Sequence, residues 1–285
     1  MPTNLPPIAR ALVLLAVCAA SPAGAALLET LRFPAADGAT ELTAYLWRPA
    51  GTGPHAAVIM LHGRAGAYSS AARGVYDAST LSRRHVQWGE FWAAQGYLAL
   101  HVDSFGPRGY AAGFGAHSYR QRPPAVDEQT VRPLDAYGAL DYLRSRGDVR
   151  GDRIGIFGWS NGAMAVLAAL AQPPAGGNGF RAAAALYPGC RAQEGGAYRP
   201  YAPMLMLLAG ADREVSPGVC RRLAERLRAG SDAFESVLYA GADHAYDDPA
   251  AVRQSSAANR AATTDSFLRA ERFFARHLQT AGAQP

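Results

Sequence analysis

Lysine is absent from this chain of 285 residues, in which all 28 basic residues are arginine and outnumber 23 acidic residues. The resulting net charge of +5 could reflect either a nucleic-acid or anionic-membrane surface or a coding bias that also favours alanine, glycine and proline. The arginines are scattered and interleaved with acids rather than gathered in a run, which favours the coding bias. We therefore expect no nucleic-acid partner.

Cysteine is scarce, with three residues in the whole chain. This number excludes a small scaffold held together by many disulfides. The cysteines form no C-x-x-C pair, and no His/Cys cluster has the spacing of a zinc site, so we expect no metal site. No repeat at solenoid or propeller spacing is present. The hydrophobic share of 49% is typical of a globular protein.

The N-terminus has the pattern of a secretory signal peptide. Arg10 precedes an apolar run over residues 11–20, and an Ala-Gly-Ala sequence ends at Ala25. This pattern predicts cleavage after Ala25 and a periplasmic or secreted protein. The run is too short for a stable membrane anchor. Lipidation of Cys18 is disfavoured because the preceding Val17 is not small.

Export would leave two cysteines, Cys190 and Cys220, in an oxidising compartment. An even number there favours a disulfide, and two buried free thiols are the alternative. Cys220 shares the apolar face of a predicted helix with Leu223, Ala224 and Leu227, so its side chain is expected to point inward.

Buried strands and helices alternate along the mature chain. A hairpin is predicted around Asp37 and Gly38 within residues 28–47. Apolar runs predict strands at residues 55–61, 97–102, 153–157, 182–187 and 203–209, with a weaker one at 236–239. Helical patterns cover residues 134–144, 161–171, 217–229 and 258–278, the third with Ser216 as N-cap and Gly230 just past its end.

This alternation predicts an α/β fold with a mostly parallel central sheet covered by helices. No linker or composition shift divides residues 26–285, which we interpret as a single domain. Residues 64–90 and 104–132 have no clean period and follow strand ends. Long loops in such places are often lids or pocket walls.

A G-x-S-x-G motif at residues 158–162 lies between a predicted strand and a predicted helix. The chain must turn sharply there, which would hold Ser160 in a strained conformation above the edge of the sheet. Gly158 and Gly162 lack a Cβ and so allow close backbone approach. This context indicates a nucleophilic serine rather than an incidental serine in a glycine-rich turn.

A serine nucleophile needs a base, and the base needs an orienting acid. Only His244 and His277 follow Ser160, and His244 lies in a loop just after the last strand, where the base is expected. Asp212 follows the preceding strand and is the predicted acid, with Glu214 as the alternative.

The oxyanion of the tetrahedral intermediate needs two N–H donors. We predict the backbone N–H of Asn161, at a helix N-terminus, and that of Arg64, in the loop after the strand at residues 55–61. His62, at the end of that strand, is expected to hold the loop by hydrogen bonds rather than to act as a base.

Several segments besides the serine motif carry a family resemblance: the strand ending in His62-Gly63, the D-S-F-G-P-R-G segment at residues 103–109, Tyr-Pro-Gly-Cys at residues 187–190, and the loops of Asp212 and His244. With these segments the sequence resembles the dienelactone hydrolase family of α/β-hydrolases, in its branch of exported bacterial proteins. The resemblance covers most of the chain from about His55 onward. It implies an α/β-hydrolase fold, a Ser–His–Asp triad and no cofactor.

The sequence departs from that family in two places. Family members that open dienelactones typically have a cysteine nucleophile, where this chain has Ser160. They also carry an arginine shortly after the catalytic histidine, where this chain has Asp247 and Asp248. Dienelactone itself is therefore not the expected substrate.

Trp159 flanks the predicted nucleophile, and other candidate substrate contacts lie in loops that could reach it. Trp159, Phe105 and Tyr246 could form aromatic walls, or Trp159 and Phe105 could simply be packing residues. Arg108 or Arg64 could bind an anionic substrate group, or Arg108 could pair with a carboxylate such as Asp103.

The function predicted from the sequence is hydrolysis of small-molecule carboxylic esters, lactones included, through an acyl-enzyme on Ser160. The alternatives are a peptidase or amidase related to prolyl oligopeptidase, which usually has a large extra domain, and a binding protein on a hydrolase scaffold. A non-catalytic relative usually loses a triad member, and here all three are present at the expected chain positions. The sequence does not predict the oligomeric state.

Overall fold

The computed structural model describes residues 28–279, so the signal peptide expected over residues 1–25 lies outside the described part of the chain. Eight strands form one sheet in the order β1-β2-β4-β3-β5-β6-β7-β8. The strands are β1 Leu28–Pro34, β2 Glu41–Trp47, β3 His55–Leu61, β4 Leu98–Asp103, β5 Val149–Trp159, β6 Ala182–Leu186, β7 Met204–Ala209 and β8 Phe234–Tyr239.

The two N-terminal strands form the predicted hairpin. Leu28 pairs with Trp47 and Pro34 pairs with Glu41 in an antiparallel ladder. Gly38 takes a φ of +67° in the turn, and the Asp37 carboxylate accepts a 2.9 Å hydrogen bond from the N–H of Ala39. Strand β2 also runs antiparallel to β4, whereas every later neighbour in the sheet is parallel.

The apolar runs in the sequence correspond to strands that are covered on both faces. Every residue of β4 and β7 is buried, which explains why these segments show no polar alternation. All six single-strand predictions are confirmed, with shifts at their ends. The largest shift is in β5, which extends well beyond the predicted residues 153–157.

Within residues 28–279, seven helices accompany the sheet: α1 Arg83–Ala94, α2 Arg132–Arg144, α3 Asn161–Ala169, α4 Arg191–Glu194, α5 Pro217–Arg228, α6 Ala251–Gln254 and α7 Ala257–Leu278. Single 3-10 turns lie at Ala78–Thr80, Gly106–Arg108, Tyr119–Gln121 and Pro124–Val126. The four predicted helices are present as α2, α3, α5 and α7.

Helix α1 was not predicted, because residues 64–90 show no clean period. Its interior also contains Gly89, and glycine lowers helix propensity by about 1 kcal/mol. The structure explains this glycine by a close contact with the sheet. A Cβ at Gly89 would lie 2.4 Å from the ring of Trp47. Tertiary packing of the helix on β2 therefore overrides its local propensity.

The helices cover both faces of the sheet and define two cores. On one face α2, α3 and α5 contribute buried side chains such as Leu140, Val166 and Leu223. On the other face α1 and α7 contribute Trp88 and Phe273 among others. Within the described residues, no helix is both long and apolar enough to cross a membrane. The predicted mostly parallel sheet covered on both faces is confirmed.

Candidate active site

Ser160 lies in a sharp turn between the end of β5 and the start of α3. Its backbone takes φ of +51° and ψ of −112°, which is strained for a residue with a side chain. The turn is held by a 2.9 Å hydrogen bond from the N–H of Ser160 to the carbonyl of Leu186 in the neighbouring strand β6. The serine is thus fixed above the carboxyl edge of the sheet.

The two glycines of the motif allow the turn to pack tightly. A Cβ at Gly158 would lie 2.5 Å from the carbonyl oxygen of Gly162, and a Cβ at Gly162 would lie 2.0 Å from that of Leu61. Both distances are far inside van der Waals contact. A side chain at Gly162 would therefore push the serine turn away from β3, and one at Gly158 would push the start of α3 away from β5.

Three side chains form a hydrogen-bonded line. His244 Nε2 lies 2.8 Å from Ser160 Oγ, and His244 Nδ1 lies 2.6 Å from Asp212 Oδ2. A carboxylate only accepts, so Nδ1–H donates to Asp212 and leaves Nε2 to accept from the serine hydroxyl. This is the arrangement of a nucleophile, a base and an orienting acid.

The sheet topology brings these side chains together. Ser160 follows β5, Asp212 follows β7 and His244 follows β8, and all three strands are parallel. The carboxyl ends of parallel strands meet at one edge, where open α/β sheets bind their ligands. The residues that the sequence singled out as a triad are therefore adjacent in space.

Asp212 is held rigidly under the imidazole. Its side chain is 1% exposed. The oxygen that does not face His244 accepts hydrogen bonds from the N–H groups of Glu214 and Val215, at 2.8 and 3.0 Å. These bonds leave Asp212 little freedom to rotate away from the histidine.

The predicted oxyanion donors lie beside Ser160. Asn161 is the first residue of α3. A Cβ at Gly63 would lie 3.5 Å from the Cβ of Ser160, so the loop that contains Arg64 passes directly over the serine. The side chain of Asn161 donates a 2.7 Å hydrogen bond to Glu128 and accepts another from the buried Arg132.

His62 does not contact Ser160 through its ring. Its Nδ1 lies 2.8 Å from the carbonyl of Gly63, and its Nε2 accepts a 3.1 Å hydrogen bond from the N–H of Ser104. Burial lowers the pKa of His62 well below its ordinary value, and the nearby Arg132 acts in the same direction. The ring therefore ties the loop after β3 to the loop after β4, as expected from the sequence.

A cavity of about 260 Å³ opens at Ser160. Met164, Gly189, Val215 and Val219 give it an apolar wall. The remaining lining residues are Arg64, His117, Tyr119, Arg122, Asn161, Cys190, Arg191, Ala192, Glu214 and Ser216. Residues 104–132, which the sequence left without an assigned structure, thus contribute three of the lining side chains.

Charged side chains line the opposite wall. Arg64 donates two hydrogen bonds of 2.7 Å to the carboxylate of Glu214. Burial favours the neutral form of Glu214, but the bonds from Arg64 and the nearby His244 outweigh it and lower the pKa of this carboxyl. Arg122 is 3.5 Å from Glu128, and burial lowers the pKa of its guanidinium.

The cavity also borders the predicted disulfide. Cys190 and Cys220 are bonded, with their Cα atoms 5.1 Å apart. Cys190 lies in the loop after β6, and Cys220 is on the buried face of α5. The bond therefore joins two elements that form one side of the cavity.

Four residues that the sequence suggested as substrate contacts lie away from the cavity. Trp159, Phe105 and Tyr246 are fully buried in the protein interior. Arg108 donates to both oxygens of Asp135 at 2.7 and 3.0 Å. The partner of Arg108 is thus a buried carboxylate of α2, not Asp103, and the residues that line the cavity are different ones.

Arg122, Tyr119 and His117 were missed because they belong to loops without a periodic pattern, and only their place in a long loop hinted at a pocket wall. Within residues 28–279, no group of three or more His, Cys, Asp or Glu side chains is arranged to hold a metal ion.

Solved structures share this fold across the whole domain. A putative dienelactone hydrolase from Klebsiella pneumoniae is similar with a TM-score of 0.63 and 19% identity, over 88% of this chain and 99% of the other. An esterase from Pyrococcus furiosus is similar with a TM-score of 0.60 and 16% identity, over 89% and 93% of the two chains.

Larger peptidases also contain this fold. A puromycin-hydrolysing peptidase from Mycobacterium tuberculosis matches with a TM-score of 0.64 and 18% identity, over 93% of this chain and 42% of the peptidase. The fold is therefore that of α/β-hydrolases. The model of one family, described as the dienelactone hydrolase family, matches residues 42–278. This protein belongs to the dienelactone hydrolase family.

Proposed function

We propose that this protein is an exported serine hydrolase that cleaves carboxylic esters, lactones included, through an acyl-enzyme on Ser160. The observation that carries the proposal is the hydrogen-bonded line from Asp212 through His244 to Ser160, which ends at the cavity. Membership of a hydrolase family is consistent with it.

In the first half-reaction, Ser160 Oγ attacks the ester carbonyl while His244 Nε2 takes the hydroxyl proton. The tetrahedral intermediate collapses, and the same nitrogen gives that proton to the departing alcohol. In the second half-reaction, His244 takes a proton from water, and the hydroxide oxygen attacks the acyl carbonyl. The acid leaves, and Ser160 regains its proton.

The negative oxygen of each tetrahedral intermediate would bind to the backbone N–H groups of Asn161 and Arg64. Two features support this role. Asn161 is at the N-terminus of α3, where backbone N–H groups are not used within the helix. Its side chain is also clamped between Arg132 and Glu128, which limits movement of its backbone.

Export is supported by the bond between Cys190 and Cys220, because disulfides persist in oxidising compartments such as the bacterial periplasm. We expect the full chain, expressed with its N-terminus, to be recovered from the periplasm or the medium with Ala26 as its first residue. N-terminal sequencing of the recovered protein tests this.

The test of the activity uses the chain from Ala26 onward and its Ser160→Ala variant. Both are assayed against p-nitrophenyl esters of increasing acyl length and against the matching p-nitroanilides. A fluorophosphonate probe reports the reactive serine directly. Ser216→Ala is the matched control, since Ser216 lines the same cavity but has no contact with His244.

Ester turnover and probe labelling that vanish in Ser160→Ala and persist in Ser216→Ala support the proposal. Faster cleavage of the anilides than of the esters would assign a peptidase or amidase instead. A folded wild-type protein that neither turns over substrate nor reacts with the probe would indicate a binding protein.

A further inference from the structure

A carboxylate with no role in the reaction described above is buried behind the catalytic histidine. The side chain of Asp247 is completely inaccessible to solvent. Its Oδ2 accepts 2.9 Å hydrogen bonds from the indole N–H groups of Trp88 and Trp159, and its Oδ1 accepts a 2.5 Å bond from the hydroxyl of Tyr187. Arg84 is the nearest cation, with 3.8 Å between its NH1 and Oδ1.

Two of these three donors belong to the active-site framework. Trp159 is the last residue of β5 and directly precedes Ser160. Tyr187 follows β6, and its ring packs edge-on against the ring of His244 with 4.9 Å between centroids. The third donor, Trp88, is on α1, and its ring packs on Phe157 and Phe267.

Asp247 itself belongs to the loop that carries the base, three residues after His244. The N–H of Asp248 donates a 3.1 Å hydrogen bond to the carbonyl of Ala245, which closes a tight turn in which Ala245 has a φ of +56°. Loops are the more mobile parts of a protein. A catalytic base, however, loses activity when it is displaced by as little as about 1 Å. Asp247 therefore links the histidine loop to the residue next to the nucleophile.

The use of a carboxylate here has a physical cost. Burying an ionised group is unfavourable unless hydrogen bonds satisfy it, and an apolar side chain would fill the same volume more cheaply. Three hydrogen bonds, however, hold the carboxylate in one position, because each bond fixes a distance and an angle that apolar packing leaves adjustable. A buried carboxylate in the histidine loop therefore indicates that His244 must be held in a precise position relative to Ser160.

We propose that Asp247 is a positioning residue. Through its bond to Trp159, it fixes the position of the His244 loop relative to the Ser160 turn. The inference rests on the proposed function, since the alignment has a purpose only if Ser160 and His244 react together. It differs from the role of Asp212, which contacts the imidazole directly.

The first test is Asp247→Leu, which has a similar size but offers no acceptor to any of the three donors. We expect kcat for a p-nitrophenyl ester to fall at least 30-fold while KM changes less than threefold. The rate of fluorophosphonate labelling of Ser160 should fall in parallel. Asp248→Asn, one residue further along, removes the same charge and should keep kcat within threefold.

The second test separates alignment from stability and does not need a folded Asp247 variant. Trp88→Phe and Trp159→Phe each remove one indole donor from the same oxygen of Asp247. Both should lower the melting temperature. Trp159→Phe should lower kcat at least tenfold at a temperature where it is fully folded, and Trp88→Phe should keep kcat within threefold.

A double variant identifies the pathway of the effect. If Trp159 acts through Asp247, the losses in kcat of Asp247→Leu and Trp159→Phe do not multiply, and the double variant resembles the slower single variant. Multiplicative losses would overturn the proposal, as would an Asp247→Leu variant with wild-type kcat and a lower melting temperature. If the wild-type protein neither turns over ester nor labels at Ser160, the proposed function has failed instead, and this result is seen before any variant is made.

Discussion

The carboxylate of Glu214 lies 3.8 Å from Nε2 of His244, the ring nitrogen that faces Ser160. Asp212, two residues earlier, contacts the opposite nitrogen at 2.6 Å. The two acids of this loop therefore have different places. Asp212 is hydrogen-bonded to Nδ1 of His244, and Glu214 faces the cavity, where it is paired with Arg64.

This difference predicts unequal effects of matched substitutions. Asp212→Asn removes the acceptor that fixes the tautomer of His244, so kcat should fall by about 10³- to 10⁴-fold. Glu214→Gln leaves that bond intact and should change kcat for a neutral ester by less than about tenfold. Steady-state kinetics on p-nitrophenyl butyrate measure both. If Glu214→Gln were the more damaging change, Glu214 would be the orienting acid.

Arg122 predicts a preference among substrates. It lines the cavity and lies 3.5 Å from Glu128 without a hydrogen bond to it, whereas Arg64 donates two hydrogen bonds to Glu214. A charge-assisted hydrogen bond to a substrate carboxylate is worth about 1.5–3 kcal/mol. Arg122→Gln should therefore lower kcat/KM for p-nitrophenyl hemisuccinate about tenfold more than for p-nitrophenyl butyrate.

The matched control is Arg191→Gln, because Arg191 lines the same cavity but is exposed at its rim. Exposed charges contribute little, so the ratio between the two esters should change less than about threefold. Equal losses on both esters in Arg122→Gln would mean that Arg122 shapes the cavity without binding an anion.

The buried histidines predict a loss of stability in acid. Burial, helped by the charges of Arg132 and Arg84, lowers the pKa of His101 to about 3, and neither of its ring nitrogens has a hydrogen-bond partner. His101 thus stays neutral in the folded protein, whereas the unfolded chain takes up a proton below about pH 6.5. The free energy of unfolding should fall by about 1.4 kcal/mol per pH unit from this residue as the pH drops from about 6 towards 3.

Urea denaturation of the wild-type protein and of His101→Leu between pH 7.5 and 4.5 measures this effect. Other groups titrate in both proteins, so the difference between the two curves isolates His101. The variant should lose about 2.7 kcal/mol less than the wild type over this range. Parallel curves would show that His101 takes up its proton in the folded state as readily as in the unfolded chain.

The disulfide predicts sensitivity to reductant. The bond joins residues that are 30 positions apart in the sequence, and closing a loop of this length stabilises a protein by about 3 kcal/mol. Dithiothreitol should therefore lower the melting temperature by about 10 °C. The Cys190→Ser/Cys220→Ser double variant should melt at the lower temperature whether or not reductant is present. Alkylation of two thiols without prior reduction would contradict the bond.

The elements that the sequence predicted correctly share a strong local pattern. The buried strands are continuous apolar runs, because both faces of the sheet are covered, and the serine motif has a fixed order of strand, turn and helix. The sequence predicted the order Ser160, Asp212, His244 for the same reason, because each residue follows a strand that the apolar runs predicted.

The residues that the sequence could not place depend on contacts between distant segments. Arg108 and Arg122 lie only 14 positions apart in one irregular loop, yet Arg108 pairs with Asp135 and Arg122 faces the cavity. Trp159 is adjacent to the nucleophile but points to the opposite side, towards Asp247. No periodic sequence pattern predicts where these side chains point, because the conformation of a loop depends on the surfaces against which it packs.

The sequence by itself determined the α/β class and the strands and predicted Ser160, Asp212 and His244 as a triad, because periodicity and motif order are properties of neighbouring residues. The tertiary structure alone decided which charges face the cavity, how Asp212 and Glu214 divide between the two nitrogens of His244, and that Asp247 is buried against Trp159 and Tyr187. The physical reason is that hydrogen-bond geometry and burial arise between elements that only the folded sheet brings into contact.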